Sequence, residues 1–111
     1  MKKKYILKSY FDFKKVYEKK QTKGNRQMVL YIKPNGKDFN RLGLTVSKKV
    51  GNAVVRNLLR RRMKEIYREN SNNLKTGYDL VFVLKPVCAD ISYRELRKSF
   101  LHVIKLSKLK R

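Results

Sequence analysis

Acidic residues and cysteine are scarce in this chain of 111 residues. Asp and Glu number 8 against 30 Lys and Arg, which gives a formal net charge of +22. The single cysteine, Cys88, excludes an internal disulfide and a cysteine-rich zinc site. Asp12, Asp38, Asp79 and Asp90 are scattered over different segments, whereas a protein-only metal nuclease needs convergent carboxylates. We therefore expect neither catalytic residues nor a metal site within the protein itself.

Long apolar segments are also missing. The longest apolar run, residues 80–84, is far too short to span a bilayer. The basic N-terminus is not followed by the apolar stretch of a signal peptide, so a cytoplasmic protein is expected. Hydrophobic residues still make up 41% of the chain, enough for one small core. Residues 1–111 are thus predicted to form a single domain with basic, partly ordered ends at about 1–8 and 106–111.

The excess of positive charge indicates a polyanionic partner. Cations that neutralise phosphates release counterions, which gives strong and salt-dependent binding. The same charge destabilises the free folded chain through self-repulsion. Nucleic acid is therefore the first partner to consider. An anionic membrane is the second, but it would require an apolar face that the core does not use.

Hydrophobic periodicity predicts helices and strands in an α/β (α+β) two-layer arrangement with a mixed sheet. Three helices, each preceded by a capping Ser or Asn, are expected over 9–20, 52–70 and 92–105. Three strands are expected over 27–33, 41–47 and 78–85. An extra short strand is allowed near Gln21, and Pro34-Asn35-Gly36 is interpreted as a hairpin loop.

The helix over 52–70 is the most informative element. Its apolar residues Val55, Leu59, Met63 and Ile66 project to one side. Glu65 is the only acid between positions 48 and 68, although a merely solvated helix would mix signs. The polar side and the two lysines before the helix form a candidate nucleic-acid-binding face: Lys48, Lys49, Arg56, Asn57, Arg60, Arg61, Lys64 and Arg68.

Arg62 disagrees with this projection, because it falls among the apolar positions. Either its charged head reaches solvent at the edge of the apolar stripe, or the helix phase is slightly different.

A second candidate surface is aromatic. Tyr10, Phe13, Val16 and Tyr17 recur at spacings of three and four, so they share one side of the first helix. Tyr31 lies on the side of its strand opposite the apolar positions. Aromatic rings with neighbouring cations suit an unpaired nucleic-acid strand. The alternative is that these helix aromatics simply belong to the core.

These residues also carry a family resemblance. The stretch from Ser47 to Asn57, SKKVGNAVVRN, followed by Arg60-Arg61, resembles the signature of the bacterial ribonuclease P protein family. Segments 12–17, 25–31 and 85–86 resemble the first helix, an early strand and the end of the last strand of that family. Lys64 departs from the arginine of the family, and Arg62 stands where an apolar residue is commoner.

The resemblance implies a fold and a function. The implied fold has three helices and a mixed four-stranded sheet in α-β-β-β-α-β-α order, with a left-handed β-α-β crossover. The implied function is that of a monomeric protein that joins a catalytic RNA as one copy. The complex then removes the 5′ leader of precursor tRNA. The RNA and its magnesium ions would carry the chemistry, without an organic cofactor.

The resemblance also divides the work between the two surfaces. The candidate nucleic-acid-binding face of the second helix, called the basic helix face below, would bind the catalytic RNA. A cleft between the first helix and the sheet would bind the leader through Phe13, Tyr17 and Tyr31, with Val29, Thr45 and Lys49 as lesser candidates. Three other classes compete with this interpretation. They are a ribosomal or other structural RNA-binding protein, a stand-alone nuclease and a cationic membrane-active protein.

Overall fold

The chain forms three helices and four strands in a computed structural model that describes residues 1–111. Their order, α-β-β-β-α-β-α, is the expected one. The elements are α1 Tyr10–Lys19, β1 Thr22–Gly24, β2 Met28–Pro34, β3 Arg41–Thr45, α2 Ala53–Asn70, β4 Tyr78–Leu84 and α3 Tyr93–Leu106. No helix combines the length and the apolarity needed to cross a membrane.

Each helix begins where the sequence places its cap. The side chains of Ser9, Asn52 and Ser92 accept hydrogen bonds from backbone N–H groups of the first turns of α1, α2 and α3. These bonds satisfy donors that a helix start would otherwise leave unpaired. The extra strand near Gln21 is confirmed as β1, which pairs with β2 in antiparallel orientation.

The expected hairpin between β2 and β3 is wrong. The strand order is β1-β2-β4-β3, so β4 lies between them, antiparallel to β2 and parallel to β3. The reason is that β4 is apolar on both faces and is buried most completely when it has a neighbour on each side. The loop after β2 instead contacts the start of β4, because Asn35 N donates to Gly77 O at 2.8 Å.

The sheet has helices on both faces. Helices α2 and α3 cover one face, where Leu30, Leu42 and Phe82 lie in a core of 19 buried residues. Helix α1 covers part of the other face and buries Val16 against Val81 and Leu7. The two-layer description thus applies to the large core, and α1 adds a partial third layer.

Residues near both ends of the chain contact the domain. At the N-terminus, Leu7 is 3% exposed and its N–H donates to Leu42 O at 2.8 Å. At the C-terminus, Leu109 is also 3% exposed and its carbonyl accepts from Lys75 N at 2.7 Å. Single leucines among many lysines provide these contacts.

Candidate nucleic-acid interface

The predicted phase of α2 is confirmed. Leu59, Met63 and Ile66 are at most 2% exposed and face the core. Tyr67 is also buried, which the projection did not include. On the opposite side the predicted polar residues remain at the surface. Asn57, Arg61, Lys64 and Arg68 are exposed, Arg56 and Arg60 are half-buried, and Lys48 and Lys49 are exposed before the helix.

Two arginines of this basic helix face are partly buried in the fold. Arg60 donates to Asn57 Oδ1 at 3.1 Å and to Val46 O at 3.3 Å, so its guanidinium lies across the end of β3. Arg56 has its Nε buried without a hydrogen-bond partner. Holding the Arg60 guanidinium in advance lowers the entropy that ordering it on a ligand would cost.

None of these cations is neutralised within the protein. The ion pairs of the chain are Lys14–Glu18, Arg41–Asp12 and Arg41–Asp79, and none involves α2. The basic helix face therefore presents an uncompensated positive field, which favours a polyanion. Arg62 is half-buried and lies near Tyr93 of α3. Its side chain is therefore at the edge of the apolar stripe and not within the core.

The predicted aromatic residues come together where α1 crosses the second face of the sheet. Phe13 lies on Gly43, so closely that a Cβ at position 43 would be 2.8 Å from Phe13 Cε1. Glycine is thus the residue that lets α1 approach β3. Val16 is fully buried, whereas Phe13 and Tyr17 are half-buried and keep part of each ring accessible.

Tyr17 is the best-anchored ring in this cleft. Its hydroxyl is 2.7 Å from Thr45 Oγ1, and its ring stands edge-on to that of Tyr31, with 4.8 Å between the centroids. The ring centroid of Phe13 lies 6.4 Å from that of Tyr17. Val29 and Thr45 lie opposite the same residue of β4, Val83, and all three are half-buried. The five predicted residues therefore share one half-exposed surface, called the aromatic cleft below.

Val83 and Lys85 were missed by the sequence interpretation. Val83 forms the floor of the aromatic cleft between Val29 and Thr45. Lys85 follows directly after β4 and donates to Asn25 O at 2.7 Å. The period of two along β4 could have identified Val83, because it shares a face with Val81. The uniformly apolar run made the whole strand look buried. Tyr10 was predicted to share the aromatic side of the first helix with Phe13 and Tyr17, but its side chain is 72% exposed.

A charged cluster ties α1 to the sheet beside this cleft. Arg41 of β3 donates to both carboxylate oxygens of the buried Asp79 at 2.8 and 2.7 Å. It also lies 3.6 Å from Asp12 of α1. Burial by itself would raise the pKa of Asp79, but hydrogen bonds from Arg41 and Asn35 and the charge of Arg41 hold it below its usual value. The carboxylate therefore stays ionised inside the protein.

The remaining chemistry of the chain is sparse. No group of three or more His, Cys, Asp or Glu side chains lies close enough together to hold a metal ion. Cys88 is fully buried, and burial raises the pKa of its thiol. His102 is exposed on α3, and its Nδ1 is 3.2 Å from Asn25 Nδ2.

Fold and surfaces together define a small basic α+β protein with an unneutralised cationic helix and a separate aromatic cleft. The model of the Ribonuclease P family matches residues 1–108. The chain belongs to the ribonuclease P protein family. It is accordingly a subunit of the tRNA-processing ribonucleoprotein, an endoribonuclease complex in which its partner is an RNA.

Similar proteins span nearly the same length. The ribonuclease P protein component of Bacillus cereus is 41% identical over 112 residues, covering 100% of this chain and 97% of the relative. That of Alkaliphilus oremlandii is 46% identical over 94 residues, covering 85% and 82%. The structure of the Staphylococcus aureus RNase P protein superposes with a TM-score of 0.90 at 32% identity, covering 96% of this chain and 98% of the other.

Proposed function

We propose that the chain binds the catalytic RNA of ribonuclease P and the 5′ leader of precursor tRNA through two different surfaces. It would thereby assist the endonucleolytic removal of the leader in the cytoplasm. One monomeric protein would join each RNA. The observation that carries this proposal is the separation of an unneutralised cationic helix from a half-exposed aromatic cleft on the other face of the sheet.

The basic helix face suits a folded RNA. Its cations lie along one side of an 18-residue helix, about 27 Å long at 1.5 Å per residue, and can meet several phosphates at once. Arg offers a planar fork that matches two phosphate oxygens, whereas Lys64 supplies a point charge. These contacts are independent of base sequence, so the shape of the RNA would determine where the protein docks.

The aromatic cleft suits a single strand. Phe13, Tyr17 and Tyr31 expose parts of their rings, on which bases can stack whatever their identity. Lys49 is exposed four residues after Thr45, beyond the end of β3, and would neutralise a leader phosphate. Tolerance of sequence is the property needed by a surface that accepts the leaders of many different precursors.

The chemistry would be carried out by the RNA. Hydrolysis of a phosphodiester by metal-activated water requires metal ions at the cleaved bond. In this proposal magnesium is bound mainly by RNA phosphates, and the protein provides cations and aromatic surface that position the leader.

The experiment is a cleavage assay at low magnesium with a precursor tRNA labelled in its 5′ leader. The substrate is mixed with ribonuclease P RNA, with this protein, or with both. We expect efficient release of the leader only from the mixture of both. If the protein changes nothing, a structural RNA-binding role replaces the proposed one. Cleavage by the protein alone would contradict the assignment of catalysis to the RNA.

A further inference from the structure

A cavity opens at the C-terminal end of α2, away from the aromatic cleft. It has a volume of about 400 Å³ and lies between that helix, the N-terminal residues and the loop before β3. Tyr5, Phe39 and Tyr67 contribute its aromatic wall, and Asp38 and Arg68 lie among its polar residues. Of these five, only Arg68 belongs to the surfaces described above.

The aromatic wall is ordered. The rings of Tyr5 and Phe39 stand nearly perpendicular at 82°, with 5.2 Å between their centroids. Lys4 Nζ lies 5.0 and 5.1 Å from these two centroids, so a cation already accompanies the pair. Both rings are half-buried and keep accessible surface. An aromatic wall with a nearby cation is the arrangement on which a nucleobase stacks.

The acidic side chain of the cavity has no partner in the fold. Asn40 is fully used, because its amide donates to Lys75 O and accepts from Tyr78 N. Asp38, in contrast, is exposed and forms no ion pair. A lone carboxylate on an RNA-binding protein would repel phosphates. It can, however, accept hydrogen bonds from N–H groups on the edge of an unpaired base. Guanine offers two such donors side by side.

The cavity is continuous with the basic helix face. Arg68 belongs to both, and it lies about 16 Å along the helix from Asn57 at 1.5 Å per residue. An RNA that follows the cations of α2 toward the C-terminal end of the helix therefore arrives at the cavity.

We propose that this cavity binds one unpaired guanine of the RNA that docks along α2. The base stacks on one ring of the perpendicular Tyr5–Phe39 pair, and its N–H edge meets the carboxylate of Asp38. This inference rests on the proposed docking of the catalytic RNA. It adds a base-specific contact to an interface otherwise made with phosphates.

The test is chemical probing of ribonuclease P RNA bound to the full-length protein. Kethoxal reports the N1 and N2 edge of guanine, dimethyl sulfate reports unpaired adenine and cytosine, and hydroxyl radicals report the backbone. We expect one guanine to be protected by the wild-type protein and by the control Asp90→Asn, which changes an exposed acid elsewhere. That guanine should become reactive with Asp38→Asn and Phe39→Ala, while backbone protection along α2 remains.

Affinity gives a second readout. Phe39→Ala should weaken RNA binding by about fivefold or more through lost stacking, whereas Asp90→Asn should not. Asp38→Asn alters an exposed side chain and leaves the fold intact, so loss of protection with this variant cannot arise from unfolding. Equal guanine protection by all variants, or protection of an adenine or cytosine instead, overturns the inference. If the wild-type protein protects no backbone at all, the proposed RNA docking itself fails.

Discussion

Tyr17 is held in the aromatic cleft by two contacts of different kinds, a hydroxyl bond to Thr45 and an edge-on ring contact with Tyr31. Two substitutions of Tyr17 therefore distinguish the stacking surface of its ring from the hydroxyl bond that anchors it. Tyr17→Ala should weaken binding of precursor tRNA to the complex by roughly 5- to 100-fold, because a stacking surface is lost. Tyr17→Phe keeps the ring and should cost less.

Equilibrium binding to the reconstituted complex, with precursor and mature tRNA in parallel, measures this effect. Mature tRNA lacks the leader and should bind the wild-type and Tyr17→Ala complexes equally. An equal loss for both ligands would mean that Tyr17 supports the fold and does not contact the leader.

The carboxylate of Asp79 makes stability depend on pH. Its pKa in the folded protein lies below the ordinary value of 3.8, so its contribution is complete above that value and is lost as the pH falls toward the lower folded pKa. Asp79→Asn should lower the free energy of unfolding at pH 7 by roughly 2–3 kcal/mol, because Arg41 loses its paired carboxylate and keeps only the longer contact with Asp12. Urea unfolding at pH 7 and at pH 2–3 checks this.

The difference between wild-type protein and Asp79→Asn should narrow as the pH falls below 3.8. Asp90→Asn serves as the control, because Asp90 is exposed and pairs with no cation. A difference that stays constant down to pH 2 would rule out the ion pair as its source.

At the scale of single residues, sequence patterns predicted which aromatic residues form the cleft but not how exposed each residue there is. Phe13, Tyr17 and Tyr31 were identified by spacing alone. The exposure of Val83 and of Tyr10 was not predicted, because it depends on how much of the sheet α1 covers. That coverage follows from the contact of Phe13 with Gly43, which joins two distant parts of the sequence.

At the scale of elements, α2 should contribute to RNA affinity mainly through counterion release. Arg61→Ala and Lys64→Ala each remove one exposed cation and should reduce the slope of log K against log salt by about 1. Lys105→Ala, an exposed cation on α3, is the matched control and should leave the slope unchanged. Filter binding of the catalytic RNA over a range of KCl concentrations provides the measurement. An unchanged slope in both α2 variants would exclude contact between this face and phosphates.

Helices were easier to predict than the pairing of strands. The phase of α2 depends on a period within one segment, and its caps are local, so both followed from the sequence. The place of β4 between β2 and β3 depends on contacts between segments far apart in the chain. The turn residues Pro34 to Gly36 indicated a reversal of direction but could not indicate that another strand would fill the gap.

At the scale of the whole molecule, 30 cations against 8 acids predict that multivalent anions stabilise the free protein. An anion that binds only the folded state shifts the equilibrium toward it, and binding also relieves self-repulsion. Sulfate or pyrophosphate should therefore raise the melting temperature more than sodium chloride at equal ionic strength. Thermal melts followed by circular dichroism report this. Identical melts in all three salts would contradict it.

The central position of β4 also has a consequence for synthesis. Strands β2 and β3 do not pair with each other, so neither completes its place in the sheet until residues 78–84 have left the ribosome. By then at least three quarters of the polypeptide, including all of α2, has already been made. Until then the strongly cationic nascent chain lacks the central strand that joins β2 to β3. Release from the ribosome and completion of the fold are thus coupled by the order in which the strands are translated.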